Sequence, residues 1–436
     1  MAVVYPKVLL ISSADPLITS GRVALEYYKA FLQMNVDIDF LTLYPVKGYP
    51  NIRYVYKKKS NWRILFNKAI YYVTGRKKKY IRPGHVFFYS YDQLPPVPNY
   101  KILKSVDNNY DLVIIMFWQD MLSFRSIKGL YDKFHCQIHF GGVDYSQMSG
   151  GCHFTNECLR FKEGCGYCPG ISSKRLKDFT YYNVRYRERI YDTVKPIVYG
   201  NTYMRGNFYT QSYLLKNVRI EPSYDIYNMD EFRPLDKERL KEKFGISPNK
   251  SFVLFFGCQN MKEPRKGISY LVESLKLFWE KLTEIERDMV QIVVAGKQFN
   301  LIQDQIFFDK IDMGIVSMDT MIELYAMADA FLSPSINDAG PTMVNQALCC
   351  GTPVVAFEMG TALESIKGHF TGYCAKMKDS NDFAKGIEYI YRLLDKEKKE
   401  MRLCCRDYAE KHFSYQARVN CIIDIYNKYK DEYCDS

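Results

Sequence analysis

The chain contains no apolar run approaching the length of a bilayer span; its longest, such as Leu112–Trp118 (LVIIMFW), are the size of a buried strand. No membrane-crossing helix is therefore expected. The first residues, MAVVYPKVLLISS, lack the basic, then apolar, then small order of a secretion signal and read as a first strand, so a cytosolic location is expected. No internal repeat or low-complexity tract appears, which argues against a repeat array or a disordered tail. No recognised nucleic-acid motif accompanies the positive charge, and nucleic acid is not an expected partner.

What is present is a globular composition, 47% hydrophobic and 25% charged over 436 residues, long enough for two ordinary domains. Thirteen cysteines, several inside apolar segments (Cys349, Cys350, Cys404, Cys405), suit a reducing compartment better than a disulfide framework. The net charge of +11 is concentrated, since residues 1–100 carry 15 Lys and Arg against 5 Asp and Glu. Basic runs at Lys57–Lys59 and Lys77–Lys79 flank Asn61–Gly75, where Trp62, Leu65, Phe66, Ala69, Ile70 and Val73 recur at helical spacing. Such a helix either packs into a core or seats residues 51–82 on an anionic membrane surface.

The most clearly punctuated stretch is Leu332–Gly360, LSPSINDAGPTMVNQALCCGTPVVAFEMG, which reads strand, loop, helix, strand. Gly340 and Pro341 fit an N-cap and first helical residue; Gly351 fits the position after the helix, and Pro353 stops it resuming. Met343, Val344, Ala347 and Leu348 form one apolar helical face, and Val354–Phe357 is a run suited to a buried parallel strand. Helix N–H groups around Ala339–Met343 then point out of the carboxyl end of a sheet, a place that favours an anion.

The remainder alternates strand and helix. Val3–Ser12, a loop, a helix over Arg22–Met34 and a strand over Asp37–Thr42 open a parallel sheet. Asp111–Trp118 and Gln137–Phe140 continue it, with a helix over Met121–Tyr131 between them. A second sheet starts at Ser251–Gly257 and gains strands at Val290–Gly296 and Lys310–Ser317. Between the sheets lies a glycine-rich loop with Cys152, Cys158, Cys165 and Cys168, spaced C-x5-C-x6-C-x2-C around His153. Four thiolates would satisfy a tetrahedral Zn²⁺; the alternative is four reduced thiols packing a turn.

In Leu332–Gly360, Pro334, Ser335, Pro341, Ala347, Gly351, Pro353, Val354, Val355 and Ala356 match the donor-site pattern of retaining GT-B glycosyltransferases of the family-4 type, which this stretch resembles. The pattern's two acidic positions carry Asp338 and Gln346. Gly150–Gly170 (GGCHFTNECLRFKEGCGYCPG) resembles a subgroup of that family that builds bacterial surface polysaccharides. The family's usual His-Asp pair falls on Val143 and Asp144, so the histidine is missing; His139 and His153 stand near in sequence.

The resemblance implies a GT-B fold of two Rossmann-like doubly wound α/β domains facing a cleft. Residues 1–215 would bind acceptor, 216–413 would bind the nucleotide sugar, and the helix of 414–436 would return to the first domain. It implies transfer of a hexose-type sugar from a UDP- or GDP-sugar to a glycan or lipid-linked acceptor, with retention and no catalytic metal. Lys266 and Arg265 would hold the diphosphate, where fixed cations act on developing charge. Asp338 would bind sugar hydroxyls, Asp144 would act beside it, and Gln346 would face the ribose diol. Gly21, Ala339, Gly340, Pro341, Thr342 and Met343 would line the donor, and Gly314, Ile315 and Val316 would meet the base. A sugar-nucleotide-binding homologue without catalysis is the alternative, motivated by Val143 and Gln346.

Overall fold

The computed structural model describes residues 3–58, 97–106, 109–223, 225–338 and 340–434. The basic, aromatic helix expected over Asn61–Gly75, most of the proposed membrane-contact segment, and Ala339 lie outside them.

The described residues divide into two compact units, 1–226 with 418–436, and 227–417. In the first, β1 (Val8–Ser12), β2 (Ile38–Thr42), β3 (Arg53–Tyr54), β4 (Leu112–Ile115), β5 (Gln137–Phe140), β6 (Ile197–Gly200) and β7 (Arg219–Pro222) form a parallel sheet in the order β3-β2-β1-β4-β5-β6-β7. In the second, β8 (Phe252–Asn260), β9 (Val290–Lys297), β10 (Asp309–Asp312), β11 (Ala330–Ser333), β12 (Val354–Phe357) and β13 (Gly372–Ala375) order as β10-β9-β8-β11-β12-β13. Central strands are buried on both faces: Val8–Ile11, Leu112–Ile115 and Val354–Val355 have no exposure. That is why they read as unbroken apolar runs rather than alternating ones.

Each strand order reverses once, between β1 and β4 and between β8 and β11. At such a switch point the loops leaving the carboxyl ends part company and open a crevice for a ligand.

Several expected boundaries move. The first strand starts at Val8, because Val3, Val4 and Tyr5 are 59%, 42% and 62% exposed and pair with no strand. The first helix begins earlier, at Thr19, so Gly21 lies inside its first turn. The strand expected over Lys310–Ser317 ends at Asp312, where Gly314 turns left-handed (φ 59°) and Ser317 caps the next helix. The domain boundary is later than residue 215, since β7 adds a strand to the first sheet through Val198–Ile220 and Tyr199–Glu221 pairing. The return comes at Arg418 rather than 414, because Ser414 still bridges to Tyr227 within the second unit. The last helix, Tyr415–Tyr429, joins the first unit: Arg418 Nε donates to Tyr27 Oη at 2.9 Å, and Gln137 Nε2 donates to the Tyr426 carbonyl at 2.9 Å.

Candidate functional site

In the second unit the loops after β8 and β11, the two strands flanking the switch point, are tied together by their backbones. Ile336 N–H donates to the Arg265 carbonyl at 2.8 Å, and Asn337 N–H reaches the same oxygen at 3.3 Å. Gly267 makes this approach feasible. Its φ is +68°, and a Cβ there would stand 1.9 Å from the Pro334 carbonyl oxygen, so no side chain fits without moving the backbone.

The side chains on these loops converge. Arg265 Nη1 and Lys266 Nζ each lie 2.8 Å from the same oxygen of Asp338, Oδ2. Arg265 also reaches Glu263 Oε2 at 2.7 Å. The Asp338 side chain is only 14% exposed. Burial would raise its carboxyl, yet Lys266 and Arg265 hold it below the ordinary carboxylate range. With Glu263 included, two cations meet two carboxylates, a balanced cluster whose cations a polyanionic ligand can compete for.

Beside this cluster starts the helix Thr342–Cys349. It begins one residue later than the sequence suggests, with Pro341 as the capping residue and no side chain satisfying the first-turn N–H groups. Gly340 N–H leans on Asp338 Oδ1 at 3.4 Å. Gly351 is left-handed (φ 71°) after the helix, as expected. Gln346 is half-buried, and its Oε1 accepts from the buried Tyr325 hydroxyl at 3.0 Å. Tyr325 has no sequence signature, since it lies 21 residues away on the preceding helix. Met343 packs near Gly257, where a Cβ would meet its Cε at 2.7 Å; the Thr342 carbonyl accepts from Tyr227 Oη at 3.1 Å. After β10, the Gly314 carbonyl accepts from Gly296 N–H at 2.7 Å, while Ile315 stands 61% exposed beside half-buried Val316.

The first unit carries the remaining candidates. Gly21 packs its backbone against the loop after β1, where a Cβ would meet the Asp15 carbonyl at 1.9 Å. Asp144, beyond β5, is fully buried. Its carboxylate accepts from Ser146 N–H at 2.7 Å and Gln119 Nε2 at 3.3 Å, and His153 Nδ1 lies 3.1 Å away. These contacts tie Asp144 to the loop that follows it. Of the two histidines near it in sequence, His139 is excluded: it is fully buried between Tyr199 Oη and Gln137 Oε1, and burial, then Arg418, lowers it to about 3. His153 is the one the structure brings to Asp144.

Cys152, Cys158, Cys165 and Cys168 line one small cavity with Phe161 and Thr180. None is in a disulfide, and Cys165 and Cys168 are buried. Burial, then the proximity of the other three sulfurs, pushes the Cys152 thiol up.

Residues 236–412 match the family model described as Glycosyl transferases group 1. An uncharacterized glycosyltransferase of Methanocaldococcus jannaschii is 25% identical over 364 residues, covering 75% of this chain and 86% of that protein. A putative glycosyltransferase, EpsD, of Bacillus subtilis is 24% identical over 338 residues, covering 72% and 82%. Among solved structures, Anabaena HepE in complex with UDP and glucose superimposes with a TM-score of 0.59 at 13% identity, covering 97% of this chain and all of that one. At that identity the likeness is one of fold, and the fold is GT-B. The match to the glycosyl transferases group 1 model thus spans residues 236–412, which include Arg265, Lys266, Asp338 and Gln346.

Proposed function

We propose that this protein transfers a hexose-type sugar from a UDP- or GDP-sugar to a glycan or lipid-linked acceptor, with retention, in building a bacterial surface polysaccharide. The observation that carries the reading is the convergence of Arg265 and Lys266 on Asp338 at the switch point of a group 1 domain. The likeness to EpsD, and the UDP bound in the HepE structure, support the substrate class.

The diphosphate takes the place beside Arg265 and Lys266, with the uncapped helix start at Thr342–Met343 adding N–H donors. As the bond to the sugar breaks, charge grows on the leaving diphosphate, and cations already fixed in position stabilise it without reorganising. Charge compensation of this kind is available from side chains, so the transfer step needs no metal. Asp338, an ionised acceptor held by its two cations, takes hydrogen bonds from donor-sugar hydroxyls. Gln346, its carbonyl already engaged by Tyr325, offers its amide N–H to the ribose diol. Ile315, with Gly314 and Val316, gives the base an apolar surface. Asp144 positions His153 at the edge of the first sheet.

The chain works at the cytoplasmic face of the membrane, where lipid-linked acceptors are extended, and residues 51–82 supply a basic contact with anionic lipid. No helix among the described residues is long and apolar enough to cross a membrane.

The test is turnover of UDP- and GDP-sugars, as transfer or slow hydrolysis, by the full chain. Release of nucleoside diphosphate that depends on Lys266 is the expected result. Binding without any release identifies instead a sugar-nucleotide-binding homologue, the reading that Gln346 and Val143 would then favour.

A further inference from the structure

We propose that Cys152, Cys158, Cys165 and Cys168 bind one structural zinc ion that holds residues 150–170 against the first sheet, independently of the reading given for the donor site. Four observations converge. First, all four sulfurs line the same small cavity, although up to 16 residues separate them in sequence. Second, a backbone N–H already aims at one of them: Gly150 N–H lies 3.3 Å from Cys165 Sγ.

Third, Cys165-Gly166-Tyr167 runs left-handed at φ 62°, 87° and 46°. Two of those residues carry side chains, and each costs about 1 kcal/mol or more in that region. The turn brings Cys165 and Cys168 onto the same cavity, as a metal knuckle requires. Fourth, guanidinium charge surrounds the site. Arg160 lines the cavity, paired with Glu163 at 2.6 Å, and the buried Arg187 donates to the carbonyl of Ser149, another lining residue, at 2.5 Å. A zinc ion with four thiolates carries a net charge of about −2, which these cations offset.

Among the described residues no three Cys, His, Asp or Glu side chains form a ready-made cage. Binding therefore draws the sulfurs inward to about 2.3 Å from the ion, a movement of side chains on a loop whose backbone is anchored. The anchors are side chains of the following helix and its cap: Thr180 Oγ1 accepts from Gly166 N–H at 3.1 Å, Asp178 from Cys168 N–H at 2.9 Å, and Asn183 Nδ2 donates to the Gly150 carbonyl at 3.0 Å. Zinc is the ion such a set selects, because soft thiolates in tetrahedral array suit it and it has no redox chemistry to manage. The ion's purpose follows from chain position: His153 sits between the first two ligands, so fixing the loop fixes His153 on Asp144.

The test is elemental analysis of full-length protein purified under reducing conditions, with thiol titration before and after denaturation in chelator. The expected result is about one zinc per chain, four more thiols reacting in denatured protein with chelator than in denatured protein without it, and loss of zinc in C165S/C168S but not in C136S. Replacing zinc with Co²⁺ gives sulfur-to-metal charge-transfer absorption in the wild-type protein. Should the double variant fail to fold, the wild-type metal content and cobalt spectrum still decide the matter. Folded wild-type protein with negligible zinc and no cobalt–sulfur absorption overturns the proposal, as does stoichiometric iron in its place.

Discussion

At the switch point of the second sheet, two cations and a carboxylate meet on short loops, partly open to solvent, with a bare helix start beside them. Beyond β5 of the first sheet the carboxylate of Asp144 is instead sealed under Gln119, Ser146 and His153. Both units share a parallel, doubly wound frame, so the frame does not cause the difference. On the function proposed above, one edge keeps its polar groups for an anionic ligand, whereas the other uses them to order its own loop. Variants at the first should thus change turnover with little change in folding, and variants at the second should do the reverse.

The sharpest way to break that contrast is Lys266→Ala. Removing one fixed cation should lower kcat by about 10²–10³-fold while the melting temperature stays within a few degrees; steady-state release of nucleoside diphosphate measures it. Gly267→Ala comes next and should affect both properties. Its Cβ would be 1.9 Å from the Pro334 carbonyl, and the forced shift should cost about 3 kcal/mol in chemical denaturation. Asp144→Ala, in the other unit, removes the side-chain acceptor of Ser146 N–H and leaves Gln119 Nε2 its bond to Ser146 Oγ. It should cost about 2 kcal/mol of stability, with donor binding by the second unit unchanged in calorimetry.

Acid sharpens the comparison further. An Asp338 side chain in the unfolded chain titrates near 3.8, and the folded one lies lower. The unfolded state therefore takes up the proton first. The stabilisation is whole above the unfolded value and fades as pH falls through the folded one. Melting curves of wild type and Asp338→Asn should converge below that window and differ above it. The smallest effect belongs to Gln346→Glu. Supplying a charged acceptor for the ribose diol should tighten donor binding by about 1 kcal/mol, offset in part where Tyr325 already donates to this position.

The sequence made the second unit far more legible than the first. Gly267, Gly351 and Pro353 punctuate because backbone conformation there is set locally, and Val354–Phe357 is apolar throughout because both faces are covered. A pattern spanning Pro334 to Ala356 therefore marks the candidate edge, apart from one residue at the helix start. Other features depend on contacts between distant segments and leave little local trace. Tyr325 meets Gln346 only once two helices pack, and β7 is recognisable as a strand only through its pairing with β6. Likewise nothing in His153 or His139 distinguishes them until the fold buries one beside Tyr199 and turns the other to Asp144. The cysteine spacing suggested a site, and the cavity shows that the four residues share a place.

The account stands chiefly on the claim that Arg265 and Lys266 hold a nucleotide diphosphate beside Asp338. The most direct test is calorimetric titration of the full chain with UDP-glucose and GDP-mannose, alongside Lys266→Ala and Asp338→Ala. One nucleotide sugar binding to wild type, with affinity lost in both variants while their folding is retained, is the predicted result. Binding that is indifferent to both substitutions, or no binding of either nucleotide sugar or of its free diphosphate, would contradict it.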